Sequence, residues 1–160
     1  MALDRRAVLT AIRETIANHT TPVFTVVAGE PIGPLGADGS PFCCFWLDGD
    51  EDPPEGGRTF TTLLHHYRFV VWCLWYRTPE VSLLEDLEAE IFDALTTLPA
   101  AFWGDSQLGG LCTDLEVTRP RVGYEPFPYR GADGVGRTVF YRSVAFEINV
   151  KDLEGETIAA

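Results

Sequence analysis

Positive charge is scarce: 12 lysines and arginines stand against 24 aspartates and glutamates, a formal net charge of -12. A surface of that sign repels phosphate backbones instead of releasing their counterions, which excludes sequence-specific nucleic-acid binding as the main task. It still suits a protein that lets DNA pass without sticking. Long hydrophobic runs are missing too. The most apolar stretch, Phe69 to Tyr76, gives way to Arg77, whereas a spanning helix needs about 20 apolar residues, so no membrane contact is expected. The start, MALDRRAVLTAIRETIA, lacks an apolar core and a clean cleavage site, and is read as no signal peptide. The four cysteines, Cys43, Cys44, Cys73 and Cys112, have neither CxxC spacing nor the density of a secreted disulfide scaffold. They are expected to be reduced core residues of a cytosolic product. The triplet Asn18-His19-Thr20 matches a glycosylation acceptor, but no secretion signal accompanies it.

What remains is a chain of 160 residues with 46% hydrophobic and 22% charged side chains, enough for one domain with a real core. Val8, Ile12 and Ile16 recur every four residues over 4–18, predicting an amphipathic helix with Asp4 as its N-cap. TPVFTVV reads as a strand ending at Ala28-Gly29, and the Gly/Pro-rich 29–41 as a loop. FCCFWL is a short strand, and DGDEDPPEGG a second, acidic loop. Long loops on both sides of one short strand suggest an exposed hairpin or flap, the kind of segment that binds something.

HHYRFVVWCLWY poses a choice between metal site and sheet interior. In an extended chain His65 and His66 point to opposite faces, so they cannot ligate one ion together, and no metal is expected. A central strand covered on both faces fits better, with Phe69, Val71, Cys73 and Trp75 on one side and Val70, Trp72, Leu74 and Tyr76 on the other. Thr78, Pro79 and Glu80 then look like a helix start, Leu84, Leu87, Ile91, Leu95 and Leu98 supply its apolar stripe, and Pro99 is read as its stop. LCTDLEVTRPRVGYEP is a strand that Pro120 interrupts, YRGADGVGR a turn, and TVFYRSVAFEINVK the returning strand of an antiparallel hairpin. The expected fold is α+β: one domain over 1–152, a four- or five-stranded, mostly antiparallel sheet, both helices largely on one face, and a flexible tail over 153–160.

No residue pattern demands catalysis, and no enzyme activity or cofactor is expected. Asp48, Asp50 and Asp52 imitate the start of a calcium loop, yet Pro53 stands where the sharp turn needs glycine and Thr59 where a bidentate glutamate belongs. A solvated acidic loop, able at most to bind cations weakly, is the better reading. GADGVGRT has neither GxGxxG order nor a GK[ST] ending, and joins two strands. Cysteines inside an apolar run make poor nucleophiles, and Trp72, Trp75, Phe69 and Tyr76 are better read as core than as a ligand pocket.

The order of elements resembles one family. A leading amphipathic helix, a Gly/Pro-broken strand pair, HHYRFVVWCLWYRTPEVSLLEDLEAEIFDAL as strand then helix, a loop ending LGGL and a closing hairpin look like the tail terminator proteins of long-tailed bacteriophages, relatives of the minor tail protein U type. The likeness spans roughly residues 3 to 151 and rests on order and texture, not on an invariant motif. It implies a structural virion protein that forms a homohexameric ring on the tail tube protein, ends tube growth and joins the head-closure or connector protein, with DNA passing through the channel unread. It also implies residence in the virion neck after assembly in the host cytoplasm. Candidate interface or lumen residues are Asp48, Asp50, Glu51, Asp52, Glu55 and Arg58 in the acidic loop, and Arg130, Asp133 and Arg137 in the hairpin turn. Another neck component, or a small α+β ligand-binding or hydrolytic domain, remain the alternative readings.

Overall fold

The computed structural model describes residues 4–31, 33–36, 40–51, 63–77 and 81–154. Helix α1 (Arg5–Ala17) forms where expected: the Asp4 carboxylate accepts from the Ala7 amide at 3.1 Å, and Val8, Ile12 and Ile16 are buried along one stripe. The cap contributes about 1 kcal/mol, and each buried aliphatic roughly 1.5–3 kcal/mol. Ile12, wholly enclosed, is the position where a charge would detach the helix.

Six strands follow, against the four or five expected. They are β1 (Thr25–Ala28), β2 (Phe42–Glu51), β3 (Leu63–Tyr76), β4 (Asp114–Val117), β5 (Arg121–Arg130) and β6 (Gly136–Glu154). The sheet order is β1-β2-β3-β6-β4, with β5 also paired to β6. β1 runs parallel to β2, and all other pairs are antiparallel. The extra strand comes from Pro120: it ends the pairing of β4, and the chain resumes as β5 along the same partner. β6 continues to Glu154, two residues into the segment read as a tail; residues 155–160 lie outside the described residues.

β2 is ten residues long, not a short strand. The strand-averse Gly49 and Asp50 stay in it because the long β3 offers them backbone partners, while Asp48 falls at the register shift between Leu47 and Gly49. The second helix, α2 (Val81–Trp103), also outruns its expected end, passing through Pro99. A mid-helix proline costs about 3 kcal/mol, which burial of Leu98 and Phe102, both wholly enclosed, offsets at roughly 1.5–3 kcal/mol each. The expected cap at Thr78 to Glu80 lies outside the described residues. After α2, the chain reverses at Leu108, Gly109 and Gly110, all at positive φ, where the two glycines carry no Cβ penalty.

Both helices cover one face of the sheet. That face carries Cys43, Phe45, Phe69, Val71, Cys73, Trp75, Val144, Phe146 and Ile148, buried with Val8, Ile12, Ile91 and Leu98 in the main core. The opposite face holds a smaller cluster of Phe42, Cys44, Leu74 and Tyr141, flanked by Trp46, Trp72, Phe127 and Val139. Phe127 reaches both Trp72 and Tyr141, with ring centroids 5.7 and 5.4 Å away, so the β5–β6 hairpin curls back over that face. Gly123 permits the curl, since a Cβ there would stand 2.8 Å from the Ser143 hydroxyl. The two-sided burial expected for β3 therefore holds fully on the helix side. On the other side Leu74 is buried, while Val70, Trp72 and Tyr76 are half-buried.

Candidate functional site

In β3, Trp75 packs as sheet interior. Its ring is enclosed, edge-on to Phe24 at 5.7 Å, and its Nε1 donates to Glu90 of α2 at 3.1 Å. This tryptophan fastens helix to sheet. On the face away from the helices, Trp72 and Trp46 meet edge to face at 6.0 Å.

All four cysteines are free and buried. Burial, with the neighbouring Cys73 thiol, pushes Cys43 well above its ordinary value, and burial pushes Cys44 up to about 12. Held protonated, Cys43 and Cys44 are weak nucleophiles. Among the described residues no group of three or more His, Cys, Asp and Glu is placed to hold a metal ion. His66 faces the Lys151–Glu116 ion pair of 2.7 Å through its strand register with Lys151. That pair holds the Glu116 carboxyl below its usual range, first through the Lys151 hydrogen bond and charge, with a smaller contribution from His66.

Of the residues expected to form an interface, those described fall into two groups at opposite ends of the sheet. Asp48 sits at the β2 irregularity and accepts from Arg68 Nε at 3.1 Å, so it belongs to a strand and not to a free acidic loop. The backbones of Asp50 and Glu51 pair with Tyr67 and His66. Asp52, Glu55 and Arg58, with Pro53 and Thr59, lie outside the described residues. At the far end, Arg130 closes β5, and Asp133 pairs with Arg137 at 2.6 Å across a turn that occupies only 131–135. Asp133 also accepts from the Val135 amide, so this pair stabilises the turn itself. Leu63 pairs with Glu154, whereas Gly136 lies beyond the Tyr76–Tyr141 pair, which sets the two groups far apart.

Several surface features escaped the sequence reading. His19 is pinned between the Pro22 carbonyl at 2.7 Å and Thr97 Oγ1 at 2.6 Å, joining the end of α1 to α2. Beyond the helical layer, Val122, Tyr124 and Phe140 are exposed on the β5–β6 hairpin, the two rings stacked at 5.6 Å with Arg77 over Tyr124. Phe92 and Trp103 stand 69% and 65% exposed on α2, far more than large aromatics usually are. A cleft of about 440 Å³ opens on the sheet face away from the helices, lined by Val70, Ala145, Phe146 and Thr118 with Arg119, Arg121 and Glu147. The cleft forms at the break between β4 and β5, where the Thr118 amide donates to the Glu147 carbonyl and the Glu147 amide to Thr118 Oγ1.

These features suit binding through extended surfaces. No helix among the described residues is long and apolar enough to cross a membrane. No protein-family model matches the chain, and no curated protein matches it.

Proposed function

We propose that this chain is a structural protein of a bacteriophage neck: a tail terminator that closes as a ring of six on the finished tail tube, ends its polymerisation and presents its other side to the head-closure protein. The observation that carries the reading is the reach of the sheet. β6 is shared by β3 on one side and by β4 and then β5 on the other, so the hairpin continues past the helical layer. Val122, Tyr124 and Phe140 are left uncovered there. Such a surface is what a subunit of a larger assembly buries against its neighbours. The order helix, strands, helix, strands agrees with the family that the sequence resembles. A formal charge of -12 per chain suits a channel through which DNA slides without adhering.

Infection with a phage lacking this gene tests the reading. Tubes that overgrow, and regain normal length when the purified chain is added, are the expected result. Tails of normal length that fail to join heads would assign the chain to head closure instead. Intact virions without it would overturn the neck assignment altogether.

A further inference from the structure

Two surfaces of this chain complement each other and cannot meet within one copy. The first is the outward side of α2. Ile91, Ala94, Leu98 and Phe102 turn into the core, which leaves Phe92 exposed. Asp86 and Asp93, at i and i+7 on the same exposed side, have no ion partner among the described residues. The second is the cleft. Its floor is apolar, from Val70 and Ala145, and its rim carries Arg119 and Arg121 against the single carboxylate of Glu147. Both arginines are exposed and without an ion partner among the described residues. A locally positive, apolar-floored cleft on a chain of formal charge -12 is complementary to an acidic surface bearing an aromatic ring. Arginine serves both parts, forking onto carboxylates and lying against ring faces.

We infer that this chain binds a second copy of itself head to tail, the Phe92 side of α2 on one copy seating in the Arg119–Arg121 cleft of the next. The strand alternation that sends Phe69 and Val71 towards the helices sends Val70 to the cleft, so the two surfaces lie on opposite sides of one sheet. A two-fold axis cannot engage both contacts at once. The association is therefore heterologous, and it either closes into a ring or runs on as a filament. The inference deepens the neck reading by naming the contact between ring neighbours, and rests on that reading only for closure at six.

The test uses the full chain in sedimentation velocity over a concentration series, without tails. The cleft variant Arg119→Glu/Arg121→Glu and the helix variant Asp86→Arg/Asp93→Arg should each associate at least about tenfold more weakly than the parent. An equimolar mixture should recover association, because each variant's altered surface matches the other's. Phe92→Ser, which leaves all charges in place, should weaken association as well. A parent chain monomeric up to about 1 mM, variants that associate like the parent, or a mixture that fails to recover would each overturn the inference. If the contact holds in solution while the chain never occurs on tails, the neck reading falls and the contact stands; a ring on tails that is indifferent to these variants gives the reverse.

Discussion

Replacing Trp75 by Phe should cost about 1.5–3.5 kcal/mol, in two parts. The indole is enclosed between Phe24 and α2, so the smaller ring leaves a void worth about 1–2 kcal/mol, the remaining atoms being too well packed to collapse into it. The rest is the Nε1 bond to Glu90 at 3.1 Å, about 0.5–1.5 kcal/mol, since Glu90 is exposed and turns to water when the donor is gone. Glu90→Ala should lose only this second part. In a chain of 160 residues, each kcal/mol moves the melting temperature by about 2–4 °C, so Trp75→Phe should lower it by about 3–14 °C. Urea unfolding followed by far-ultraviolet circular dichroism measures both variants without relying on indole emission. A Trp75→Phe loss under about 0.5 kcal/mol, or a Glu90→Ala loss as large as that of Trp75→Phe, would refute the reasoning.

Further outcomes follow from the same packing. Tyr141→Phe removes the hydroxyl that accepts from the Leu35 amide at 3.0 Å, and should cost about 1–2 kcal/mol with faster hydrogen exchange at Leu35; unchanged exchange there would contradict it. The four buried thiols should resist a disulfide reagent at pH 8 until the chain is unfolded, and prompt labelling of the native protein would show that burial does not protect them. An unfolded Cys44 releases its proton near 9.0 and the folded one near 12. Over that window the unfolded state binds fewer protons, so stability should fall as pH rises from about 9 towards 12, which alkaline urea titrations would register. Raising salt from about 10 to 150 mM should promote self-association, by screening the repulsion between chains of charge -12 while sparing the desolvated contact; association that only weakens with salt would contradict this.

Much of the sheet was legible because its strands obey simple periods. The alternation of Val144, Phe146, Ile148 and Val150, and the run through Trp75, state which side is buried. The sequence misled where tertiary pairing overrode local preference. Gly49 and Asp50 read as loop but pair with β3, with Asp48 at the register shift before them, and Pro99 reads as a stop but is carried inside α2 by the burial of Phe102. Pro126 and Pro128 both sit in β5, which among the described residues pairs with β6 alone, and an edge strand tolerates missing amides on its open side. The cleft had no local signature. Val70, Arg121 and Ala145 are neighbours only through the strand register, and a hexameric likeness says nothing of which surfaces meet.

Cryo-electron microscopy of purified tails shows whether this chain ends a tail tube as a ring. Tails carrying the chain with a fused density marker should show one six-fold ring at the head-proximal end of each tube. Marked density along the whole tube, at the distal tip, or nowhere on the tail would contradict the account.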